Sequence, residues 1–301
     1  RKAVALEKAK AQDETEVFAN DSKKKIYMHW MYDVPMGEQL DDDGDSLESI
    51  EGCLTDAQYN RDEHRKAVID DILDNWVSQS HNGKFHAILA TSSIPEAIKY
   101  YKLFAQRDCG LKTTAVFDPS DGNNESSIEK IDGIAQMLED YNSLFGTCFN
   151  ISGYASFKRD VCARLAHKTP YTAVENEPSK CLDILIVVDQ MLTGYDSKWL
   201  NTLYMDKFYK WSNIEMIIQA FSRTNRVFND DKPHGIIRYY RRPYTMKNII
   251  EYAFEQYSGQ KPYGIFVAKL IQNLENMNAA FSDINDIFKI AGIPDFFKTS
   301  R

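Results

Sequence analysis

Apolar positions in this chain change rhythm as it advances, and each change predicts an element. Residues 1–20 are charged and helix-favouring, with a weak apolar pattern at Val4, Leu6, Val17 and Phe18. Residues 33–60 are acidic, contain glycine and proline, and lack periodicity, which predicts a linker or exposed loop. Over 63–77, the residues Val68, Ile69, Ile72, Leu73, Trp76 and Val77 recur at helical spacing and predict an amphipathic helix. Short, largely apolar runs follow at 85–90, 113–117, 184–188, 202–205 and 235–240. Such runs suit strands of a parallel sheet covered on both faces. Helical stretches separate them. Ser93-Ile94-Pro95-Glu96 opens one: Ser93 can cap, Glu96 can reach back, and proline is tolerated in a first turn. Ser126 with Glu129 and Ser212 with Glu215 repeat that capping spacing. Tyr100, Tyr101 and Phe104 read as core. Strands alternating with helices predict an α/β fold around a parallel sheet flanked by helices. Residues 245–290 carry only helical spacing, so an α-helical region follows. The expected organisation is 1–82 for N-terminal helices and an acidic linker, 83–244 for the α/β domain, and 245–301 for the start of a helical domain.

Composition narrows the class. The chain has 301 residues and a net charge of -8, which lowers the prior for a dedicated nucleic-acid domain without excluding local phosphate contacts. No apolar run approaches the roughly 18–20 residues of a membrane span, and no signal peptide is visible. The five cysteines are scattered without a CxxC pair, so neither a disulfide framework nor a zinc site is indicated and a reducing cytoplasm is expected. The chain begins RKAVALEKAK with no initiator Met, which reads as a fragment of a longer protein.

Several expected chemistries are missing. There is no GxxxxGK[ST], so nothing cradles a triphosphate in that way. Asp62-Glu63-His64 mimics an acidic metal box but opens a polar helix. The acidic loop 41–45 resembles a calcium loop only in composition. What is present is ordered. Thr193-Gly194-Tyr195-Asp196 follows a strand, where α/β folds place ligand sites. Gln219, Arg223 and Arg226 then fall in a QxxGRxxR pattern with Ser222 in the glycine position. Two arginines three apart are expected on one side of a helix, reaching one anion. Thr91 and Ser92 follow another strand at a helix N-terminus. All of these are expected at one edge of the sheet. Arg238, Arg241 and Arg242, interleaved with Tyr239 and Tyr240, suit either a DNA contact or a solvated strand end.

The phrases ILIVVDQMLTGYD, LNTLYMDK and IIQAFSRTNRV resemble the second RecA-like domain of superfamily 2 helicases and translocases, and more narrowly the motor (R) subunit of type I restriction endonucleases. The helicase resemblance covers about 84–242, and the restriction-subunit resemblance extends more weakly to both flanks. It implies an ATP-dependent, DNA-translocating restriction endonuclease subunit, with this chain inactive alone. It implies that Arg226 is an arginine finger aided by Arg223, and that Gln219, Gly194 and Asp196 meet the nucleotide. Thr91, Ser92 and Thr193 would meet DNA. ATP and Mg²⁺ would sit mainly on an absent first RecA-like domain. Double-stranded DNA, a methyltransferase subunit and a specificity subunit would be partners, with no membrane. Another superfamily 2 motor, or a non-catalytic α/β interaction module, is the alternative.

Overall fold

The computed structural model describes residues 1–301 except 42, 108, 118–126, 189–194, 229–230, 258–269 and 291–301, and omits the side chains of 127–129, 270–276, 283 and 290. The chain forms two compact units, Arg1–Ala253 and Phe254–Arg301.

The first unit opens with α1 (Lys2–Lys8), α2 (Glu14–Phe18) and α3 (Asp21–Met28). Asp13 and Asn20 cap α2 and α3 with their side chains, satisfying first-turn amides. These helices build a core from Val4, Ala5, Ala9, Val17, Tyr27 and Trp30, joined by Val34 and Ile50. The segment expected to be an exposed linker is therefore partly packed. Its Glu51 is buried, and its carboxylate accepts from the amides of Tyr244 and Thr245 at 3.1 and 2.7 Å. A carboxylate at a helix N-terminus satisfies orphan amides and complements the helix dipole, which is why this acid is drawn inward.

After α4 (Asp56–Tyr59) and α5 (Asp62–Gln79), β1 (His86–Thr91) enters with all six residues buried. Then come α6 (Ile94–Gln106), β2 (Thr113–Val116), α7 (Ser127–Phe145), α8 (Tyr154–Leu165), β3 (Ile184–Val187), β4 (Leu200–Asp206), α9 (Ile214–Ser222), β5 (Ile236–Tyr239) and α10 (Pro243–Tyr257), of which residues up to Ala253 belong to this unit. The five strands form an all-parallel sheet in the order β2-β3-β1-β4-β5. This is the expected α/β architecture with helices against the sheet. β1, β3 and β4 are buried along their whole length, which explains the unbroken apolar run of β3 and the apolar centre of β1. Tyr100, Tyr101 and Phe104 of α6 are buried as expected. The second unit contains α11 (Leu270–Ile290). Among the described residues, no helix is long and apolar enough to cross a membrane.

Two capping expectations fail in detail. Ser93 does cap α6 through the Glu96 amide, but the Glu96 carboxylate turns instead to the buried Arg65 at 2.5 Å. A buried guanidinium left without this carboxylate would be a desolvated, unpaired charge, which outweighs a return bond to the Ser93 amide. Ser212 does not cap α9: its hydroxyl donates to Asn213 Oδ1, and a short 3₁₀ turn, Trp211–Asn213, leads into the helix.

Candidate functional site

The sheet has two edges, and the candidate residues divide between them. At the amino edge, β4 begins with Leu200 beside His86, the first residue of β1. The His86 amide donates to the Trp199 carbonyl at 3.1 Å, and the Tyr195 hydroxyl lies 3.1 Å from His86 Nε2. Residues 195–199 are thus fixed along this edge. Burial holds the His86 imidazole well below its ordinary pKa, so it packs as a neutral ring.

Helix α9 leaves the carboxyl end of β4 and runs back, delivering its own C-terminus to the amino edge. Arg223 is the C-cap: its Nε donates to the Gln219 carbonyl at 3.1 Å and its Nη1 to the Tyr195 carbonyl at 3.2 Å. Arg226 lies beyond the helix, in the following loop, and its Nε donates to Asp196 Oδ1 at 2.9 Å. The two arginines therefore do not share a helical face, as their spacing suggested. The loop carries Arg226 to the segment that Arg223 already touches. Ser222 ends α9 with helical backbone and donates to the Gln219 carbonyl at 2.7 Å, so glycine's freedom is not needed in this place. A glycine is needed at 235, where an added Cβ would lie 2.5 Å from the Thr224 carbonyl oxygen. The Gln219 side chain is exposed on the last turn of α9.

Arg226 and Asp196 line an open pocket of about 510 Å³ with Ala166, Lys168, Ser197, Lys198, Asn225 and Val227. Three cations against one carboxylate give this pocket a charge of +2 on a chain of net charge -8. The Arg226 and Asp196 side chains are 56% and 63% exposed, so their ion pair is loosely held and open to exchange with an incoming anion. Lys168 and Lys198 were not foreseen. Lys198 stands two residues past Asp196 and could have been suspected, whereas Lys168 comes from the segment after α8 and has no local signal.

The carboxyl edge is built differently. Thr91 ends β1 fully buried, and its hydroxyl donates to the Val187 carbonyl at 3.1 Å and the Ser93 carbonyl at 3.3 Å. That hydroxyl pins the ends of β1 and β3 together. Ser92 is exposed beside the first turn of α6. Thr193 and Gly194 lie outside the described residues. The expectation of one shared edge is corrected: Ser92 and Arg226 stand at opposite ends of strands roughly 20 Å long at about 3.3 Å per residue.

In the sheet order, connections leave β1 and β4 in opposite directions, which makes the crevice at their carboxyl ends the usual ligand position. Here side chains fill it. Asp206, fully buried at the end of β4, accepts from Arg241 Nε and Nη2 at 2.9 and 3.0 Å and from the Tyr100 hydroxyl at 2.9 Å, with His64 Nε2 at 2.7 Å. Burial opposes ionisation of this carboxyl, but the bonds from His64 and Arg241 prevail and hold it below the ordinary aspartate range. Arg241 is thus neither a DNA contact nor a solvated strand end, and Arg238 pairs with Asp71 at 2.5 Å. His64, weighed in the sequence only as part of a metal-like box, has this structural partner instead. Among the described residues, no group of three or more His, Cys, Asp or Glu is placed to hold a metal ion.

Comparison with known proteins matches residues 83–242 to the family described as Type I restriction enzyme subunit R domain 3. The Type I restriction enzyme SsaAORF53P endonuclease subunit of Staphylococcus saprophyticus is 32% identical over 213 residues, covering 68% of this chain and 22% of that protein. The SauMRSORF196P endonuclease subunit of Staphylococcus aureus is 31% identical over 200 residues, 64% of this chain and 20% of the relative. The HindI endonuclease subunit of Haemophilus influenzae is 42% identical over 60 residues, 20% of this chain and 5% of its own length. The chain spans about a fifth of the length of the first two relatives.

Proposed function

Because the chain belongs to the type I restriction enzyme subunit R family, we propose that it is the second RecA-like lobe of an ATP-dependent, DNA-translocating restriction endonuclease subunit. The observation that carries this reading is the exposed Arg226–Asp196 pair over a pocket that also gathers Lys168 and Lys198. Residues of this kind fit a phosphate: a guanidinium stays charged and offers a planar fork to its oxygens, and two ammonium groups add point charges. ATP with Mg²⁺, held mainly by a first lobe outside this chain, would supply the free energy of phosphate release.

This chain's part is electrostatic. Asp196 holds the Arg226 guanidinium at the pocket mouth while the lobes are apart. On closure Arg226 exchanges that carboxylate for phosphate oxygens, where it offsets charge that develops during transfer. Arg223 ties the end of α9 to the Tyr195 carbonyl, so helix and turn move as one body. Gln219, one turn earlier, senses the nucleotide. At the opposite edge, Ser92 and the first-turn amides of α6 take a DNA phosphate, as helix N-termini readily do. Thr91 serves as their buried peg, and Gly194 and Thr193 would meet nucleotide and DNA respectively. Duplex DNA, a methyltransferase subunit and a specificity subunit are the partners of the whole complex, and cleavage occurs in another domain. The lobe alone completes no site and turns over no ATP.

In the full-length subunit, Arg226→Ala lowers DNA-stimulated ATP turnover by about 10³-fold or more, the scale of a lost arginine finger. A variant with near-normal turnover removes the assignment.

A further inference from the structure

Lys232 is fully buried, yet no carboxylate among the described residues pairs with it. Its ammonium donates to the Arg226 carbonyl at 2.7 Å and to the Lys198 carbonyl at 3.3 Å. Its own backbone is fixed by a two-way bridge with Phe228, each amide donating to the other's carbonyl at 3.1 Å. Burying a lysine costs stability unless the ammonium is well used. Both of its acceptors are backbone carbonyls of residues that line the Arg226–Asp196 pocket. We propose that Lys232 is a positioning residue for Arg226: it clamps the backbone of residue 226 to residue 198 and leaves the guanidinium mobile. The proposal rests on the arginine-finger reading above.

The division of labour follows from the exposures. The Arg226 side chain is held only by an exposed pair and can change partner, whereas its main chain is held from inside by a charged donor. A finger on an unanchored loop would lose reach and direction, and small displacements in a catalytic arrangement cost large factors in rate. The charged and titratable neighbours of the clamp are the neutral His86 of β1, His167 after α8, the exposed Lys84–Asp231 pair, and Asp196 and Lys198 of the pocket. Burial lowers the pKa of both histidines, so they stay neutral above pH 7. Burial also brings Lys232 down to about 8, so its charge is lost within the range where enzymes are assayed.

The test uses the full-length subunit with its partners, DNA and ATP. Lys232→Met keeps the length and apolar stem but removes the donor. The expected result is a kcat lower by about tenfold or more, the order of one lost charged hydrogen bond, with KM for ATP little changed. The melting temperature stays level or rises, because a desolvated charge has gone. Combined with Arg226→Ala, it produces no further loss of kcat, since a clamp has nothing left to position. Additive losses in the double variant overturn the proposal, as does a Lys232→Met enzyme of normal kcat. If Arg226→Ala itself leaves kcat unchanged, the arginine-finger reading fails rather than this one alone.

Discussion

Two aspartate–arginine pairs in this lobe have the same chemistry and opposite settings. Asp196–Arg226 and Asp206–Arg241 both join Nε to Oδ1 at 2.9 Å. The first lies at the amino edge with side chains 63% and 56% exposed; the second lies at the carboxyl edge at 0% and 3%. Water screens the first, so it contributes little to stability and can trade partners. The second is surrounded by His64, Tyr100 and Asn60, and each partner would be a desolvated charge without the other. The Nε–Oδ1 distance alone would rank the two pairs as equals, although only the inner one adds a second bond, from Nη2. Burial separates an arginine available to a ligand from one that is part of the frame.

The sharpest way to break this contrast is Arg241→Ala. It leaves a buried carboxylate without its main partner and is expected to cost about 3–5 kcal/mol, read from urea unfolding of the chain. A loss below about 1 kcal/mol would show that the inner pair is dispensable. Acid supplies a milder version. The folded-state pKa of Asp206 lies below the ordinary value of 3.8, so its contribution to stability is complete above that value and disappears as pH falls through the folded pKa. Urea midpoints should therefore drop steeply below about pH 4, and Arg241→Ala should flatten that fall; equal slopes in both proteins would contradict the account. The smallest effect is expected from Asp196→Asn: a change in stability within about 0.5 kcal/mol. A larger loss would mean the outer pair also belongs to the frame.

The sheet was readable because its strands are buried on both faces. ILIV at 184–187 has no polar position to mislead the eye, and the predicted strand at 202–205 erred only by omitting the ends, Leu200, Asn201 and Asp206. Those ends include polar residues that are buried by partners distant in sequence, and local pattern cannot foresee that. The same limit explains Arg241 and Lys232. Each sits in a polar stretch that reads as surface, and its inward turn depends on Asp206, or on the carbonyls of residues 198 and 226, being delivered by other elements. The resemblance implied that Asp196 and Arg226 serve one nucleotide site, and the structure pairs them. The edge on which they meet was not foreseen, because β4 starts parallel to β3 and so at the opposite end of the sheet from where β3 stops.

If the amino edge serves ATP hydrolysis and the carboxyl edge serves DNA, the two activities separate in full-length Arg226→Ala when ATP turnover and DNA affinity are measured side by side. Turnover collapses while DNA affinity stays within about twofold of wild type. Turnover and DNA affinity falling together, or turnover unchanged, would contradict this division of the edges.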